Sequence, residues 1–251
     1  MNQQNMLEYL KEGLLNFVFP LSCAVCGKSI RNSKGYSICE DCFDSVKIIE
    51  VPICVRCGKP LNKTQYFLEH KDILCINCKK QLLYFKHARS VGLYDVVLRK
   101  CIHLYKYQKE KKLAKPLGKL MIKYLLNNRT IYQKIDLIVP VPLYGDDLVV
   151  RGFNQSLLLA LEIGEYFSIP VAKNLLVKKK ATKFQVNLSK VERERNLHNA
   201  FAVTDPKKVM AKNILLIDDV YTTGSTVNEC SKEIKMAQAE KICVLTLARG
   251  I

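Results

Sequence analysis

No run of about 18 uncharged apolar residues occurs anywhere in the chain, so no membrane-spanning helix is expected. The most apolar stretch near the start, residues 6–19, is broken by Glu8, Lys11 and Glu12, and no small-residue cleavage site follows before Pro20. That pattern argues against a secretory signal and for a short amphipathic helix over residues 1–20. The expected compartment is the cytoplasm, where thiols stay reduced. The G-x-x-x-x-G-K-[ST] phosphate loop is also missing, which excludes a P-loop nucleotide hydrolase. Histidine occurs only four times and in no catalytic arrangement. Acidic residues are scarce, 23 against 40 Lys and Arg, for a net charge of +17.

What is present reads as a folded protein. Hydrophobic residues make up 49% and charged residues 25% of the 251, enough for one full-sized core and a smaller companion. The positive charge is concentrated. Residues 86–129 hold twelve Lys or Arg against Asp95 and Glu110, and residues 171–199 hold eight against Glu192 and Glu194. These two segments suggest a polyanionic partner, nucleic acid or a phosphorylated ligand, with a solvated basic surface as the plain alternative.

Eight of the eleven cysteines fall before residue 79, as the C-x-x-C pairs Cys23/Cys26, Cys39/Cys42, Cys54/Cys57 and Cys75/Cys78. Two intervening residues let both thiolates reach one metal from a tight turn, and Gly27 and Gly58 relax the backbone behind two of the turns. Neighbouring pairs give two zinc-ribbon spacings in tandem and two structural Zn2+ ions as the simplest count. Interleaved pairing fits the spacing too. Disulfides are disfavoured in a reducing compartment, a redox motif needs only one pair, and iron–sulfur spacing is less symmetric. A ribbon this small buries too little to fold unaided, so metal should decide whether it folds. Cys101, Cys230 and Cys243 stand alone in apolar contexts and read as core residues.

Past residue 85, apolar runs of strand length alternate with helical stretches. Strands are expected at Ser90–Tyr94, Leu137–Val141, Ile214–Ile217 and Ile242–Ala248, with helices at Leu113–Leu126, Gln155–Tyr166 and Thr226–Ala239. Such alternation predicts an α/β domain, a mostly parallel sheet with helices on both faces, and ligands beyond the carboxyl ends of the strands. The expected organisation is a helix over 1–20, a double zinc-ribbon module over 21–84 and this α/β domain over 85–251. One strand end carries chemistry. After Ile214–Ile217 come Asp218 and Asp219, then Thr222-Thr223-Gly224-Ser225-Thr226 leading into a helix. Two carboxylates can accept hydrogen bonds from vicinal ribose hydroxyls, while loop N–H groups and hydroxyls meet a phosphate at the helix N-terminus. The plain alternative is a turn whose Ser and Thr residues cap a helix.

Residues 215–226, L-L-I-D-D-V-Y-T-T-G-S-T, resemble the phosphoribosyl pyrophosphate (PRPP) motif of type I phosphoribosyltransferases. V-P-V-P-L at 139–143, R-G-F-N-Q at 151–155 and Q-x-x-L-S-x-x-E-R-x-R-N-L at 185–197 are similar to the ComF family, competence-associated proteins with zinc ribbons and a phosphoribosyltransferase-like fold. The resemblance spans nearly the whole chain. It implies Asp218 and Asp219 on the ribose hydroxyls, and Thr222, Thr223, Gly224, Ser225 and Thr226 around the 5-phosphate. It also implies a diphosphate loop after Val141 with Arg151 beside it, and a hood whose Arg193 and Arg195 arrive on closure. Lys106-Tyr107 matches a Lys-Tyr pair of the family, although Gln108-Lys109-Glu110 after it is poorer in glycine.

The same resemblance implies Mg2+ on the diphosphate of PRPP and a role in natural transformation after single-stranded DNA enters the cytoplasm. Single-stranded DNA and other competence proteins, a helicase or DNA-processing protein, are then the expected partners. The alternative is an active phosphoribosyltransferase of nucleotide metabolism, whose acceptor the residues do not identify.

Overall fold

The computed structural model describes residues 22–30, 36–62, 73–130, 132–180 and 196–250. The helix expected over 1–20 and the segment carrying Arg193 and Arg195 lie outside them.

The two ribbons repeat one local design. In each, the first C-x-x-C pair sits in a turn closed by backbone bonds, Gly27 N–H to Cys23 O and Gly58 N–H to Cys54 O, both 2.8 Å. Gly27 and Gly58 take φ of 74° and 73°, the left-handed region that a side chain would disfavour. The third cysteine of each ribbon then stands at the N-cap of a one-turn helix, α1 (Glu40–Asp44) after Cys39 and α2 (Ile76–Lys80) after Cys75. The fourth cysteine is thereby carried round on that helix toward the first pair.

The larger part of the chain runs β1 (His87–Leu93), α3 (Val96–Tyr107), α4 (Ala114–Asn127), β2 (Leu137–Pro140), α5 (Gly145–Arg151) and α6 (Gln155–Phe167). It continues through β3 (Leu176–Lys178), β4 (Phe201–Val203), β5 (Asn213–Tyr221), α7 (Ser225–Met236) and β6 (Lys241–Arg249). Four strands form a parallel sheet in the order β1-β6-β5-β2, as the alternating pattern predicts. A separate antiparallel pair joins β3 to β4. The apolar core strands are buried along their length because both faces are covered. On one face Leu215, Ile217 and Leu245 pack against α3, α4 and α6; on the other Ile214, Leu216 and Val244 meet α7.

The ribbons are built into this core. Cys23, Ile38, Cys42 and Phe43 join the first cluster, while Cys54, Cys57 and Cys75 join the second. Polar ties reinforce the packing: Ser37 donates its hydroxyl to Glu110 at 3.0 Å, and Arg89 donates to Val55 O at 3.0 Å. Cys101, Cys230 and Cys243 are fully buried, as their apolar contexts indicate.

Several elements depart from the sequence reading: β1 runs from His87 to Leu93 where Ser90–Tyr94 was expected, and α5, β3 and β4 were not anticipated. Helix α3 was not anticipated, since Arg99, Lys100 and Lys106 mask an apolar stripe of Val97, Leu98, Cys101, Ile102 and Tyr105 that is buried in the structure. Strand β5, expected to stop at Ile217, runs on to Tyr221 because β6 pairs with it throughout, Asp218 opposite Thr246 and Tyr221 opposite Arg249. Its other neighbour, β2, ends opposite Ile217. Asp218 and Asp219 therefore lie on a strand with one neighbour, past the end of the other.

Candidate functional site

Loops leaving the carboxyl ends of β2 and β5, adjacent in the sheet, meet at this ledge. The side-chain period of a strand turns Asp218 and Asp219 to opposite faces. Asp219 points to α3, where Lys106 Nζ lies 2.7 Å from its Oδ2 with both side chains largely buried. Asp218 accepts the Ser156 hydroxyl at 3.0 Å and the Asp219 amide at 2.9 Å. Burial pushes the Asp218 carboxyl up to about 7, and the neighbouring Asp219 charge adds to the rise, against the opposing pull of Lys106, the Asp219 amide and Ser156. One acid is thus held with a cation and its neighbour is poised to gain or lose a proton near neutrality.

Behind the acids, Gly224 adopts φ 83° and starts α7. A Cβ there would collide with the Tyr221 hydroxyl. Glycine is required at this turn on both counts. Thr223 and Ser225 share a hydroxyl hydrogen bond at 2.8 Å, and Thr223 Oγ1 accepts the Ser225 N–H at 3.4 Å, so the hydroxyls crowd the first turn of the helix. This is the N-terminus of a twelve-residue helix, the end whose free N–H groups and dipole favour negative charge.

The loop after β2 is anchored by Asn154, which donates to Val141 O at 3.1 Å and accepts Leu157 N–H at 3.1 Å as the cap of α6. Arg151, the last residue of α5, donates to Gln155 Oε1 at 3.2 Å. Gln155 O in turn accepts the buried Tyr105 hydroxyl at 3.0 Å. Arg151 with Gln155, and Ser156 with Asp218, Asp219 and Lys106, thereby form two polar strings that start from neighbouring residues at the N-terminus of α6. The sequence reading named Arg151, Lys106 and the acids as site residues and carried Gln155 only within the R-G-F-N-Q run; Ser156 and Tyr105 were not placed at this site. β3 and β4 pair on either side of residues 181–195, with Lys178 opposite Phe201, and Lys178 reaches Asp147 of α5 at 3.7 Å.

The metal clusters are equally definite. Neighbouring pairs gather, Cys23/Cys26/Cys39/Cys42 and Cys54/Cys57/Cys75/Cys78, and within each set all sulfurs lie within 4.8 Å of one another. The interleaved pairing is ruled out. Cys23 to Cys42, Cys26 to Cys39 and Cys57 to Cys75 are each 3.7 Å between sulfurs. Tetrahedral zinc with bonds of about 2.3 Å sets its sulfurs about 3.8 Å apart, so both clusters fit that ion.

Fold and sites together define a class, a double zinc ribbon fused to a parallel α/β sheet with an acidic, glycine-turned strand end. A double zinc ribbon family model matches residues 14–79. Competence protein F of Haemophilus influenzae is 33% identical over 240 residues, covering 94% of this chain and 100% of that protein. DNA utilization protein YhgH of Salmonella typhimurium is 31% identical over 92% of this chain and 98% of its own length. Competence protein ComFC of Bacillus subtilis is 25% identical over 85% and 84%. The chain belongs to the ComF family of competence proteins. Among solved structures, glutamine PRPP amidotransferase from B. subtilis, complexed with ADP and GMP, gives a TM-score of 0.39 at 18% identity, over 58% of this chain and 30% of that one. Adenine phosphoribosyltransferase from Saccharomyces cerevisiae gives 0.36 at 15%, over 58% and 72%. Among the described residues no helix is long and apolar enough to cross a membrane.

Proposed function

We propose that this protein binds PRPP with Mg2+ in the cradle at the end of β5, and that it serves a cytoplasmic, DNA-handling step of natural transformation. The observation that carries the reading is the ledge itself: Asp218 and Asp219 on an open strand end, followed at once by a left-handed glycine and the N-terminus of α7. In this reading the two carboxylates accept the ribose hydroxyls, the Thr222–Thr226 loop holds the 5-phosphate, and Arg151 faces the diphosphate. Mg2+ would arrive on the diphosphate and neutralise part of its charge. Lys106 holds Asp219 in a 2.7 Å ion pair until the sugar displaces it. Arg193 and Arg195 would meet the bound diphosphate on closure; only in the alternative of an active phosphoribosyltransferase would they stabilise it as a leaving group, with water excluded and no protein nucleophile required.

Calorimetry with PRPP and Mg2+, followed by an assay for diphosphate release with common bases, tests this directly. Binding without release is the expected result. Rapid release would move the protein to an active phosphoribosyltransferase, and absence of binding would remove the reading.

The sign of the pH dependence follows from Asp218. A carboxyl raised to about 7 keeps its proton in the folded chain where the unfolded chain has lost it, so its contribution to stability is present at low pH and fades as pH rises toward 7. Ligand binding runs the opposite way, because ribose hydroxyls donate to the ionised form. A group titrating near neutrality is about tenfold more ionised at pH 8 than at pH 6, and PRPP affinity should rise by about that factor. Calorimetry at both pH values checks it. In Asp218→Asn any residual pH dependence belongs to the ligand.

Single-stranded DNA binding is supported by the basic face of α4 and the turn before it, where Lys111, Lys112, Lys115, Lys119 and Lys123 are all exposed. With three phosphates neutralised, affinity should fall about twentyfold between 50 and 200 mM salt. Anisotropy with a labelled oligonucleotide measures that slope, and no binding at low salt rejects it.

A further inference from the structure

We infer that Arg249 makes the second ribbon a structural part of the phosphate cradle, so that metal in the Cys54/Cys57/Cys75/Cys78 cluster holds the Tyr221–Asn228 loop in shape. Arg249, at the end of β6, is buried. Its guanidinium donates to Cys57 O at 2.7 Å and approaches Cys57 Sγ at 3.5 Å, touching a metal ligand through both backbone and side chain. The same group lies over the Tyr221 ring, 4.4 Å from its centroid. Tyr221 in turn fills the space where Gly224 lacks a side chain. The path from the cluster to the loop is therefore four groups in contact: Cys57, Arg249, Tyr221, Gly224.

Independent ties run beside it. Asn228, in the first turn of α7, accepts the Tyr84 N–H at 3.0 Å and donates to Leu82 O at 3.2 Å, clamping the helix start to the segment leaving the ribbon. Gly250 N–H donates to Tyr221 O at 3.0 Å. A cavity of about 190 Å³ lies between the two parts, walled by Cys57, Cys75 and Cys78 on one side and by Tyr221, Thr222 and Thr223 on the other. A guanidinium is suited to this position because its planar fork can donate to sulfur and carbonyl while its face covers an aromatic ring. Lysine can keep the charge there but not the fork and face together.

Arg249 is a positioning residue in this account: it touches no ligand and acts through the loop. Only the identity of that ligand rests on the PRPP reading. The test compares the intact protein with Arg249→Lys, Cys78→Ser and, as a control in the other cluster, Cys26→Ser, all as full-length chains.

Hydrogen exchange of residues 221–228 should speed up by about tenfold in Arg249→Lys and Cys78→Ser, a typical coupling, and stay unchanged in Cys26→Ser. Arg249→Lys should keep both metal equivalents while its PRPP affinity falls by a similar factor. Unchanged loop exchange in both Arg249→Lys and Cys78→Ser overturns the inference, whatever PRPP does. If exchange responds as expected but PRPP binds none of the proteins, the coupling stands and the ligand assignment fails.

Discussion

Asp218→Ala combined with Asp219→Ala should reduce PRPP affinity by about thirtyfold to about 25,000-fold, on the order of 1 to 3 kcal/mol for each lost hydrogen-bonding partner at a desolvated site. The protein should nonetheless stay folded with two metal ions. Asp218 is strained as an anion, since burial and the Asp219 charge both oppose its ionisation, so its removal relieves repulsion as well as losing the Ser156 bond. Asp219 differs: its loss strands Lys106, whose side chain is 16% exposed and now faces a carboxylate 2.7 Å away. Asp219→Ala alone should therefore cost more stability than Asp218→Ala, and adding Lys106→Met should recover part of it. Calorimetry and thermal melts read the two effects separately. Unchanged PRPP affinity in the double variant would refute the cradle.

Cys54→Ser should produce the largest loss of stability. Cys54 is fully buried, and its sulfur accepts the Cys75 N–H at 3.3 Å, so it serves the metal and the ribbon backbone together. Structural zinc in small ribbons carries an apparent binding free energy of about 10 to 16 kcal/mol, and without it this ribbon has little core of its own. The loss does not stay local, because Cys54, Cys57 and Cys75 share a core with Phe85, Leu216, Tyr221 and Val244. A net loss of about 5 kcal/mol would lower Tm by about 10 to 20 °C in a chain of this size. Metal analysis should fall from two equivalents to one. Full metal content would mean the cluster assignment is wrong. Cys101→Ser, a change of similar size at a buried cysteine outside both clusters, should leave metal content untouched.

The sequence was most readable where the chemistry is local. Four C-x-x-C pairs announced two ribbons, and L-L-I-D-D followed by T-T-G-S-T announced a strand, an acid pair and a glycine turn into a helix. Both depend on residues a few positions apart, so spacing alone carries them. Strand β5 was cut short in the reading because Asp218 and Asp219 end its apolar run, whereas β6 keeps pairing with it beyond them. Helix α3 was missed for the reverse reason, charges interspersed among its buried positions. Which cysteines share a metal was open in the spacing and closed by the packing.

The sequence by itself determined the ribbons, the parallel α/β pattern and the residues of the strand-end motif, because periodicity and tight-turn spacing act over a few residues at a time. Only the tertiary structure decided what those residues meet. Lys106 reaches Asp219, Ser156 reaches Asp218 and Arg249 reaches Cys57 across long stretches of chain. Such contacts are created when strands far apart in sequence come to lie side by side, and no local pattern encodes which side chains their ends bring together.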